Sequence, residues 1–585
     1  MPFLKPAFAA APQRWIFILL LAGLALAAYH RVGTLNFVNL DDPHYLTHNP
    51  MVAAGLSWEG VRQAFSLQVG VFGLWMPLTW LSLMLDVSLF GMNPGAMHGV
   101  NLFFHVLNVI LLFHLALRLI GRPWAAFFAA ALFAVHPQHV EAVAWVTERK
   151  ELLSTLFGLM ALRGHLRYVE RPSPGRMVAT AGWFFLSLSA KPMWAAFPLL
   201  LLLLDLHPLG RRDGGRMVLE KFPLFLLAAL FSVIPLLGFE LTPLQRLPVE
   251  DRLAQTIWAY AEYFRQTLAA WDLSPYHPYP DGGIPWSRAM PAALALAGVL
   301  GGSAWLAWRG RPWFGVGVLG FMILLLPVSG LIQGGQWVLT ADRYSYPAHA
   351  MLFVGATAGA AEWLEAHPAW RRGVMMGCGL LLLLAMLSTW RQVSFWRDGE
   401  SLWTQVIRHY PQDSLAWFQL GNHYLDAQRP DLALAPLTLA VERAPGNPHY
   451  RLSLALARLE TGNHEGAAPL LQGLRKDEAY REVSGLVRGA MALTRAGRLD
   501  EADAFWERIG SLAAPRSDEA VEAAFQRAMN GLRRGEGEGG GGEAMRRFFA
   551  DHPETAAKVC GSSRQEGRDG ELLAARCRES GRSLP

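Results

Sequence analysis

Two adjacent carboxylates, Asp41 and Asp42, follow the first long apolar segment of the chain, within NLDDPHYLTHNP (39–50). A carboxylate near a low-dielectric surface has a raised pKa, which makes it a better general base toward a hydroxyl group. Aspartate before Pro43 is also common in turns and helix caps, but capping needs only one aspartate. The pair therefore predicts a general base. Either residue can fill this role while the other orients a neighbouring group.

Four basic residues lie in short polar segments between apolar runs. They are Arg149 and Lys150 in HPQHVEAVAWVTERKE (136–151), Lys191 in SAKPM (189–193) and Arg343 in ADRYSYP (341–347). At a membrane face, Lys and Arg side chains bind phosphate groups, although an interfacial charge can also simply reach water. We predict that Lys191 and Arg343 hold a phosphate together with one of the two adjacent basic residues.

Six further polar residues of the same segments are assigned to the supporting site. They are His136, His139, Glu141, Glu148, Asp342 and Tyr344. A tyrosine at the start of an apolar run is also typical of the aromatic belt of a membrane protein. The combination of histidine, acid and base within one short segment nevertheless favours a site.

The three cysteines do not form a metal-binding pattern, because Cys378 lies in an apolar run and only Cys560 and Cys577 lie near each other. In an oxidising compartment these two could form a disulfide, and otherwise they are free thiols. We expect no metal and no other cofactor, since bound cations can replace a metal at a phosphate. Mg²⁺ held by carboxylates and a phosphate is the alternative.

The composition indicates a membrane protein. Of 585 residues, 52% are hydrophobic, with 22 Trp and 31 Phe, which is too apolar for an ordinary soluble chain. Apolar runs dominate up to about residue 390, and a helical pattern begins at Phe395. The net charge of +5 is modest and no nucleic-acid-binding motif is present, so we expect no nucleic-acid partner. We predict an all-α chain with a polytopic membrane helix bundle (1–392) followed by a soluble domain.

Eleven segments have the length and hydropathy of membrane spans. They are 14–30, 98–119, 124–142, 151–168, 177–190, 193–206, 222–240, 289–308, 313–332, 347–364 and 373–390. The first resembles a signal peptide, but we expect it to be retained. The segment 75–92 is also apolar, but it contains Pro77 and Asp86, and we place it in the membrane interface.

Basic residues set the expected orientation. With the N-terminus in the cytoplasm, nearly every short basic loop lies on the cytoplasmic side, as the positive-inside rule requires. The polar segments described above then lie on the outer face, which includes a first loop (about 31–97) and a fourth loop (about 241–288). A charge deep in the bilayer costs about 2.5 to 3.5 kcal/mol, so ionisable groups gathered near helix ends on one face predict a site there. The soluble domain lies on the same, periplasmic or lumenal, side.

The soluble part contains an internal repeat. The segment LAWFQLGNHYLDAQRPDLALAPLTLAVERAPGN (415–447) has tetratricopeptide spacing, and two more degenerate units follow it. Residues 517–553 are assigned to a divergent last pair, joined by the glycine run at 535–542. We predict a tetratricopeptide α-solenoid over 393–553, whose concave face binds an acceptor protein or peptide, and a tail over 554–585.

Several of these segments resemble one protein family. The similarity is to the transmembrane and TPR repeat-containing (TMTC-like) proteins, and it is carried by NFVNLDDPHYLTHNP, WMPLTWLSLMLD, HPQHVEAVAWVTERKELLSTLF, AKPMWAAFPLLLLLLDLHPLGR and ADRYSYP. That family resembles the GT-C glycosyltransferases, which use polyprenyl-phosphate sugars, and its animal members are implicated in protein O-mannosylation. The resemblance, over most of residues 30–480, implies a GT-C-type bundle in the bacterial inner membrane. It also implies that Asp41 or Asp42, in the first outer loop, is the catalytic base.

The residues and the resemblance together predict an inverting glycosyltransferase. It moves mannose or a similar hexose from polyprenyl phosphate to an acceptor hydroxyl, with protein Ser or Thr expected and a glycolipid or glycan as the alternative. A lipid or solute transporter is a rival hypothesis, but it would use a polar site near the bilayer midplane. A non-catalytic membrane-anchored scaffold is another, and it would not need the charged cluster.

Overall fold

The computed structural model describes residues 13–66, 75–238, 248–270, 272–280, 282–331, 338–477, 480–514, 517–535, 541–561 and 568–579. Helices are the only regular secondary structure among these residues, apart from an isolated bridge between Pro278 and Val338. The predicted all-α fold class is therefore confirmed. The chain divides into two compact units, Met1–Tyr410 and Pro411–Pro585, whereas the sequence placed a division at 392/393.

The first unit is built from α-helices. In chain order they are α1 (Gln13–Ala28), α2 (Pro50–Ala53), α3 (Trp58–Ala64), α4 (Pro77–Phe90), α5 (Pro94–Ile120), α6 (Pro123–Val135), α7 (Val140–Ala144), α8 (Arg149–Glu170), α9 (Pro174–Ala190), α10 (Phe197–Leu206), α11 (Gly214–Gly238), α12 (Val249–Leu268), α13 (Trp286–Trp308), α14 (Trp313–Leu325), α15 (Ser345–Ala366), α16 (Arg371–Ser394) and α17 (Gly399–His409). Single 3-10 turns lie at Pro137–His139, Val146–Glu148, Pro192–Trp194 and Asp342–Tyr344. The polar segments 136–151, 189–193 and 341–347 fall on or beside these turns, whereas a π-helical turn, Pro43–Thr47, directly follows Asp41 and Asp42.

Within the described residues, five helices are long and apolar enough to cross a membrane. They are Arg14–Thr34, Pro94–Ile120, Gly214–Ile234, Trp286–Trp308 and Pro368–Ser394. The other six predicted spans coincide with helices that are shorter or more polar, namely α6, α8, α9, α10, α14 and α15. A multi-pass helical membrane bundle is thus present, and the count of eleven spans stays a prediction.

Helix α5, the longest of the bundle, shows how local sequence sets the helix limits. Asn93 caps its first turn by accepting a hydrogen bond from the Ala96 amide, and Pro94 follows at the position where a missing N–H costs nothing. The helix ends at Ile120 because Gly121 adopts a left-handed conformation with φ of 70°. Buried His98, Asn101 and Asn108 line its inner face and reach the segments that carry the site.

Helices α14 and α15 cross in backbone contact at two glycines. A Cβ atom on Gly355 would overlap the backbone of Gly317 and the carbonyl of Trp313. Small residues allow such close approach between membrane helices, where packing rather than hydrophobic exclusion drives association. This contact holds the middle of α15 against α14, and α15 directly follows the turn that carries Arg343.

Helices α4 and α12 lie in the predicted outer loops, as do the short α2 and α3. Helix α4, in the stretch assigned to the interface, buries Trp80, Leu83 and Met84 in a cluster with Tyr45. Helix α12 lies within the predicted fourth loop, where residues 239–247, 271 and 281 are outside the described residues. The sequence did not predict α12, because its charged residues lower the hydropathy on which spans were assigned.

The second unit is a stack of helix pairs, which confirms the predicted α-solenoid. Its helices are α18 (Ser414–Asp426), α19 (Pro430–Arg443), α20 (Pro448–Glu460), α21 (His464–Lys476), α22 (Val483–Arg495), α23 (Leu499–Leu512), α24 (Asp518–Arg533) and α25 (Gly541–Asp551). The first helices of successive pairs begin at Ser414, Pro448 and Val483, close to the tetratricopeptide period of about 34 residues. A Cβ on Gly421 would overlap Leu437, so this position of the repeat needs its glycine.

The C-terminal segment forms two more helices, α26 (Pro553–Gly561) and α27 (Arg568–Glu579). A disulfide joins Cys560 to Cys577, with Cα atoms 5.8 Å apart, and both cysteines are buried with Met545 and Phe548. Of the two states left open by the sequence, the structure has the disulfide. Residues 536–540, the centre of the predicted glycine linker, lie outside the described residues.

Candidate active site

A buried carboxylate, Glu148, lies at the centre of a polar cluster in the first unit. Its Oε1 atom lies 2.9 Å from Lys150 Nζ and 3.3 Å from Arg343 Nε, and its Oε2 atom lies 3.0 Å from Lys191 Nζ. The three cations come from three separate segments of the chain. The fold therefore brings three of the predicted phosphate-binding residues together around one negative charge.

Two more buried carboxylates hold individual cations of this cluster. Glu151 Oε2 accepts a hydrogen bond from Lys191 Nζ at 2.8 Å. Glu141 accepts from the Arg343 guanidinium through Oε1 and from the Arg343 backbone amide through Oε2, the latter at 2.8 Å. Both carboxylates are nearly inaccessible to solvent. The cations are thus fixed in position rather than mobile at a surface.

The segment between α6 and α8 is shaped by two interruptions of the helix. Helix α6 ends at Val135 because His136 precedes a proline and takes an extended conformation. After α7 the chain is extended again at Trp145, and a 3-10 turn then leads into α8. These breaks place Glu141 and Glu148 on the same side of the segment, toward the turn that carries Arg343.

The two aspartates of the opening motif have different surroundings. Asp41 keeps 24% of its side chain exposed, and its Oδ2 lies 3.5 Å from Lys150 Nζ. Asp42 is 1% exposed, and its oxygens accept hydrogen bonds from the Val38 amide at 2.8 Å and from Trp145 Nε1 at 2.9 Å. Asp41 therefore faces the cluster, while Asp42 anchors the loop.

Aromatic rings cover the cations. Lys150 Nζ lies 4.5 Å from the centre of the Tyr45 ring, and the Arg343 guanidinium lies 4.8 Å from that of Tyr344. Lys191 Nζ also faces Tyr344, at 5.3 Å. Such contacts stabilise a cation that has lost part of its water shell. Trp145 stacks on Trp396 with ring centres 5.5 Å apart and forms another wall of the site.

The adjacent residues Arg149 and Lys150 point to different places. Arg149 is fully buried and donates to Asp86 at 2.8 Å, to Ser82 at 2.9 Å and to the Met97 carbonyl at 2.9 Å. It ties α8 to α4 and α5. The sequence left the choice between the two residues open, and Lys150 is the one that lies in the cluster.

The remaining predicted residues form two neighbouring groups. Asp342 Oδ1 lies 3.7 Å from His277 Nε2, and His277 Nδ1 is hydrogen-bonded to the Tyr410 hydroxyl at 2.8 Å. His136 and His139 instead contact His349 of α15, with ring centres 4.6 and 5.1 Å away. These two histidines therefore belong to a cluster of their own.

Burial and charge shift the pKa of the acidic groups in opposite directions. Burial alone would raise the pKa of Glu148, but Lys150, Lys191 and Arg343 outweigh it and hold that pKa well below its ordinary value. Burial raises the pKa of Asp42 to about 7, and its two hydrogen bonds only partly offset this. Burial also raises the pKa of Asp342, which His277 partly offsets. Glu148 is therefore a permanent anion that orders the cations.

Four residues of the site were not assigned from the sequence. They are Tyr45, Trp145, Glu151 and His277. The sequence contained a signal for Glu151, because this residue ends the same polar segment as Lys150. The two aromatic residues carried no such signal, since tryptophan and tyrosine are common throughout the membrane domain.

The arrangement places three cations, each paired with a buried carboxylate, beside the more exposed carboxylate of Asp41. The exposed fraction of the side chain rises from 5% at Lys150 and 8% at Lys191 to 14% at Arg343, so the cluster opens toward Arg343 and Asp41. Guanidinium and ammonium groups held in a dry pocket bind a phosphate strongly. Asp41 lies at the mouth, where it can accept a proton.

The chain is similar to known proteins over part of its length. No family model matches the chain. It is 34% identical over 183 residues to the mouse protein O-mannosyl-transferase TMTC1, covering 29% of this chain and 19% of that protein. It is 31% identical over 235 residues to Tmtc1 of Drosophila melanogaster, covering 38% and 27%, and 33% identical over 199 residues to human TMTC1, covering 32% and 21%. The chain thus covers between 19% and 27% of the length of these relatives, and over this shared part it is similar to TMTC proteins.

Proposed function

We propose that this chain is a membrane glycosyltransferase that moves a sugar from a polyprenyl-phosphate donor to the hydroxyl of a protein Ser or Thr. One observation carries the proposal: Glu148 gathers Lys150, Lys191 and Arg343 within 3.3 Å of its carboxylate, beside the accessible Asp41. The similarity to proteins named O-mannosyl-transferases supports the reaction class and favours mannose or a similar hexose.

In this mechanism Asp41 removes the proton of the acceptor hydroxyl as the oxygen attacks the anomeric carbon. The bond from that carbon to the phosphate oxygen breaks, and the electron pair leaves with the polyprenyl phosphate. Attack from the opposite side inverts the anomeric centre. General-base catalysis of this type contributes about 10²- to 10⁴-fold.

The cations stabilise the phosphate as its charge grows. Lys150, Lys191 and Arg343 are held in place before the donor arrives, so little reorganisation is needed during the reaction. A phosphate is a fair leaving group, and the proposed transfer uses no metal at this position. Asp42 holds the loop of Asp41 in place through Val38 and Trp145.

The proposed location follows from the charge pattern of the sequence. The N-terminus lies in the cytoplasm of a bacterial cell, the site lies on the periplasmic face of the inner membrane, and the helical repeats present the acceptor on the same side. Reporter fusions at residues 215 and 450 test this topology. A cytoplasmic reporter at 450 would place the repeats on the wrong side of the membrane and contradict the proposal.

The activity test uses the full-length protein in vesicles with a polyprenyl-phosphate sugar and a Ser/Thr-containing peptide. We expect transfer by the wild type and a loss of about 10²- to 10⁴-fold in Asp41→Asn. Asp500→Asn removes a carboxylate that is 93% exposed and belongs to the second unit, and it serves as the matched control, with activity retained. Unchanged transfer in Asp41→Asn and Asp42→Asn would remove the base assignment. Transfer to a glycolipid and not to the peptide would reassign the acceptor.

A further inference from the structure

Three histidines face one another outside the basic cluster. His136 and His139 lie in the turn after α6, and His349 lies in the second turn of α15. Their exposed fractions are 5%, 0% and 0%. Each can offer one ring nitrogen so that all three nitrogens lie within 4.8 Å of one another. Such convergence of imidazoles in a dry pocket needs a physical reason.

The outward-facing nitrogens of the three rings are committed to oxygen acceptors. His139 Nδ1 lies 2.8 Å from the Phe133 carbonyl, and His136 Nε2 lies 3.1 Å from the Thr267 carbonyl. A carbonyl only accepts, so both nitrogens carry a proton. His349 Nε2 lies 2.9 Å from Thr267 Oγ1, which also contacts the Tyr263 carbonyl at 2.7 Å. When the hydroxyl gives its proton to this carbonyl, its shorter contact, His349 Nε2 donates to Oγ1.

Each of the three inward-facing nitrogens therefore carries a lone pair and no proton. A neutral imidazole has one proton, and each ring has already used it. His139 Nε2 and His349 Nδ1 lie 2.9 Å apart with no proton left for the bond between them. His136 Nδ1 is buried and has no hydrogen-bond partner. One extra proton could bridge the first two nitrogens, but it would leave the third unsatisfied.

We propose that His136, His139 and His349 form a binding site for one divalent transition-metal ion, for which Zn²⁺ is the best fit. Three neutral imidazoles with one open position are a common zinc ligand set. Metal-bound histidines donate their second N–H to a carbonyl or another oxygen, and all three rings do so here. The proposal departs from the sequence expectation of no metal, and it does not depend on the proposed function.

The position of the site indicates a structural role. His139 lies two residues before Glu141, and His349 lies six residues after Arg343. A metal bound by both histidines holds together the two segments that carry Glu141 and Arg343. The ion pair between these two residues closes one side of the cluster around Glu148. Helix α12 supplies the outer shell through Thr267. The ion would thus hold the cluster in shape without touching the donor.

Zinc binding by the purified full-length protein in detergent tests the proposal. The protein is stripped with a chelator and then titrated with Zn²⁺ against a chromophoric zinc chelator, and Co²⁺ absorption reports the ligand geometry. We expect about one Zn²⁺ per chain and visible Co²⁺ bands of a nitrogen-ligated, four-coordinate ion. Wild-type protein that binds neither ion overturns the proposal without reference to any variant.

Variants identify the ligands. His139→Ala and His349→Ala should weaken zinc binding by more than about 100-fold, and Thr267→Val, which removes only the outer hydroxyl, by about 10- to 100-fold. The matched control is His98→Ala, because His98 is also buried and its Nδ1 also lacks a partner, but among the described residues it belongs to no group of converging histidines. The control should bind zinc like the wild type. Equal binding by His139→Ala and the wild type would overturn the assignment.

Discussion

Lys191 Nζ lies 3.0 Å from Glu148 Oε2 and 2.8 Å from Glu151 Oε2, although more than 40 residues separate Lys191 from Glu148. The lysine pairs with two carboxylates that are 1% and 0% exposed. Breaking a buried ion pair by removing one partner leaves an uncompensated charge. The contact is therefore a structural requirement of the site as well as part of its proposed chemistry.

We expect Lys191→Met to lower the free energy of unfolding by about 3 to 5 kcal/mol. Thermal unfolding of the purified protein in detergent measures this. The double variant Lys191→Met, Glu151→Gln removes the second charge as well and should regain part of the loss. A single variant as stable as the wild type would show that the carboxylates are solvated or protonated rather than paired.

Asp42 should give the protein a characteristic pH dependence of stability. Burial raises the pKa of this carboxyl from 3.8 to about 7, so the folded protein binds its proton more tightly than the unfolded chain. The resulting stabilisation is complete below about pH 4 and is lost as the pH rises toward 7. Asp42→Asn has no such proton, so the Tm of the variant minus that of the wild type should rise between these pH values.

Melting curves of both proteins across this pH range test the Asp42 prediction. The readout is the slope, against pH, of the Tm difference between Asp42→Asn and the wild type. The absolute Tm is not used, because the lost hydrogen-bond acceptor in Asp42→Asn shifts it at every pH. Parallel curves for Asp42→Asn and the wild type would mean that the pKa of Asp42 is not raised.

Arg149 and Lys150 should respond differently to substitution. Arg149→Met leaves Asp86 buried and unpaired, and we expect a loss of about 3 to 5 kcal/mol in unfolding free energy. Lys150→Met should raise KM for the polyprenyl-phosphate sugar, because it removes a cation from the cluster. Donor titrations of folded protein at 4 °C below the onset of unfolding separate the two effects. If KM increased equally in Arg149→Met and Lys150→Met, the two residues would not have the different roles assigned to them.

The close contact between α14 and α15 predicts that replacing a glycine by alanine destabilises the protein at Gly355 but not at a glycine in open space. Gly355→Ala places a methyl group against the backbone of Gly317 and should cost about 1 to 3 kcal/mol. Gly379→Ala in α16 meets nothing within 4 Å, and it should be neutral or slightly stabilising. Thermal unfolding of the two variants side by side checks this. Equal stability would mean that the helices do not cross at Gly355.

The Cys560–Cys577 disulfide closes a loop of 17 residues between α26 and α27. Closing a loop of this size stabilises a protein by about 3 kcal/mol, so Cys577→Ser should make the end of the second unit more sensitive to protease in the full-length protein. Cys378→Ser is the control, because Cys378 is a free thiol in α16. Thiol labelling of intact cells without reductant also reports the compartment. Labelling of both cysteines there would contradict a periplasmic second unit.

Sequence alone determined the fold class and named most of the polar residues that the structure brings together. Apolar runs, prolines at helix starts and the repeat spacing define helices within a few residues, because these signals are local. The same holds for Asp41, Lys191 and Arg343, whose charges stand out in apolar surroundings. Burying a charge costs so much free energy that a charged residue within an apolar segment indicates a structural or functional role by itself.

Only the tertiary structure decided which of these groups meet. Arg149 and Lys150 are adjacent in sequence, but successive residues of a helix point in different directions, so one ties α8 to its neighbours and the other joins the cluster. His349 carries no signal in its own segment, and it becomes notable only where α15 brings it to His136 and His139. Long-range contacts of this kind depend on how whole helices pack, and no short stretch of sequence contains them.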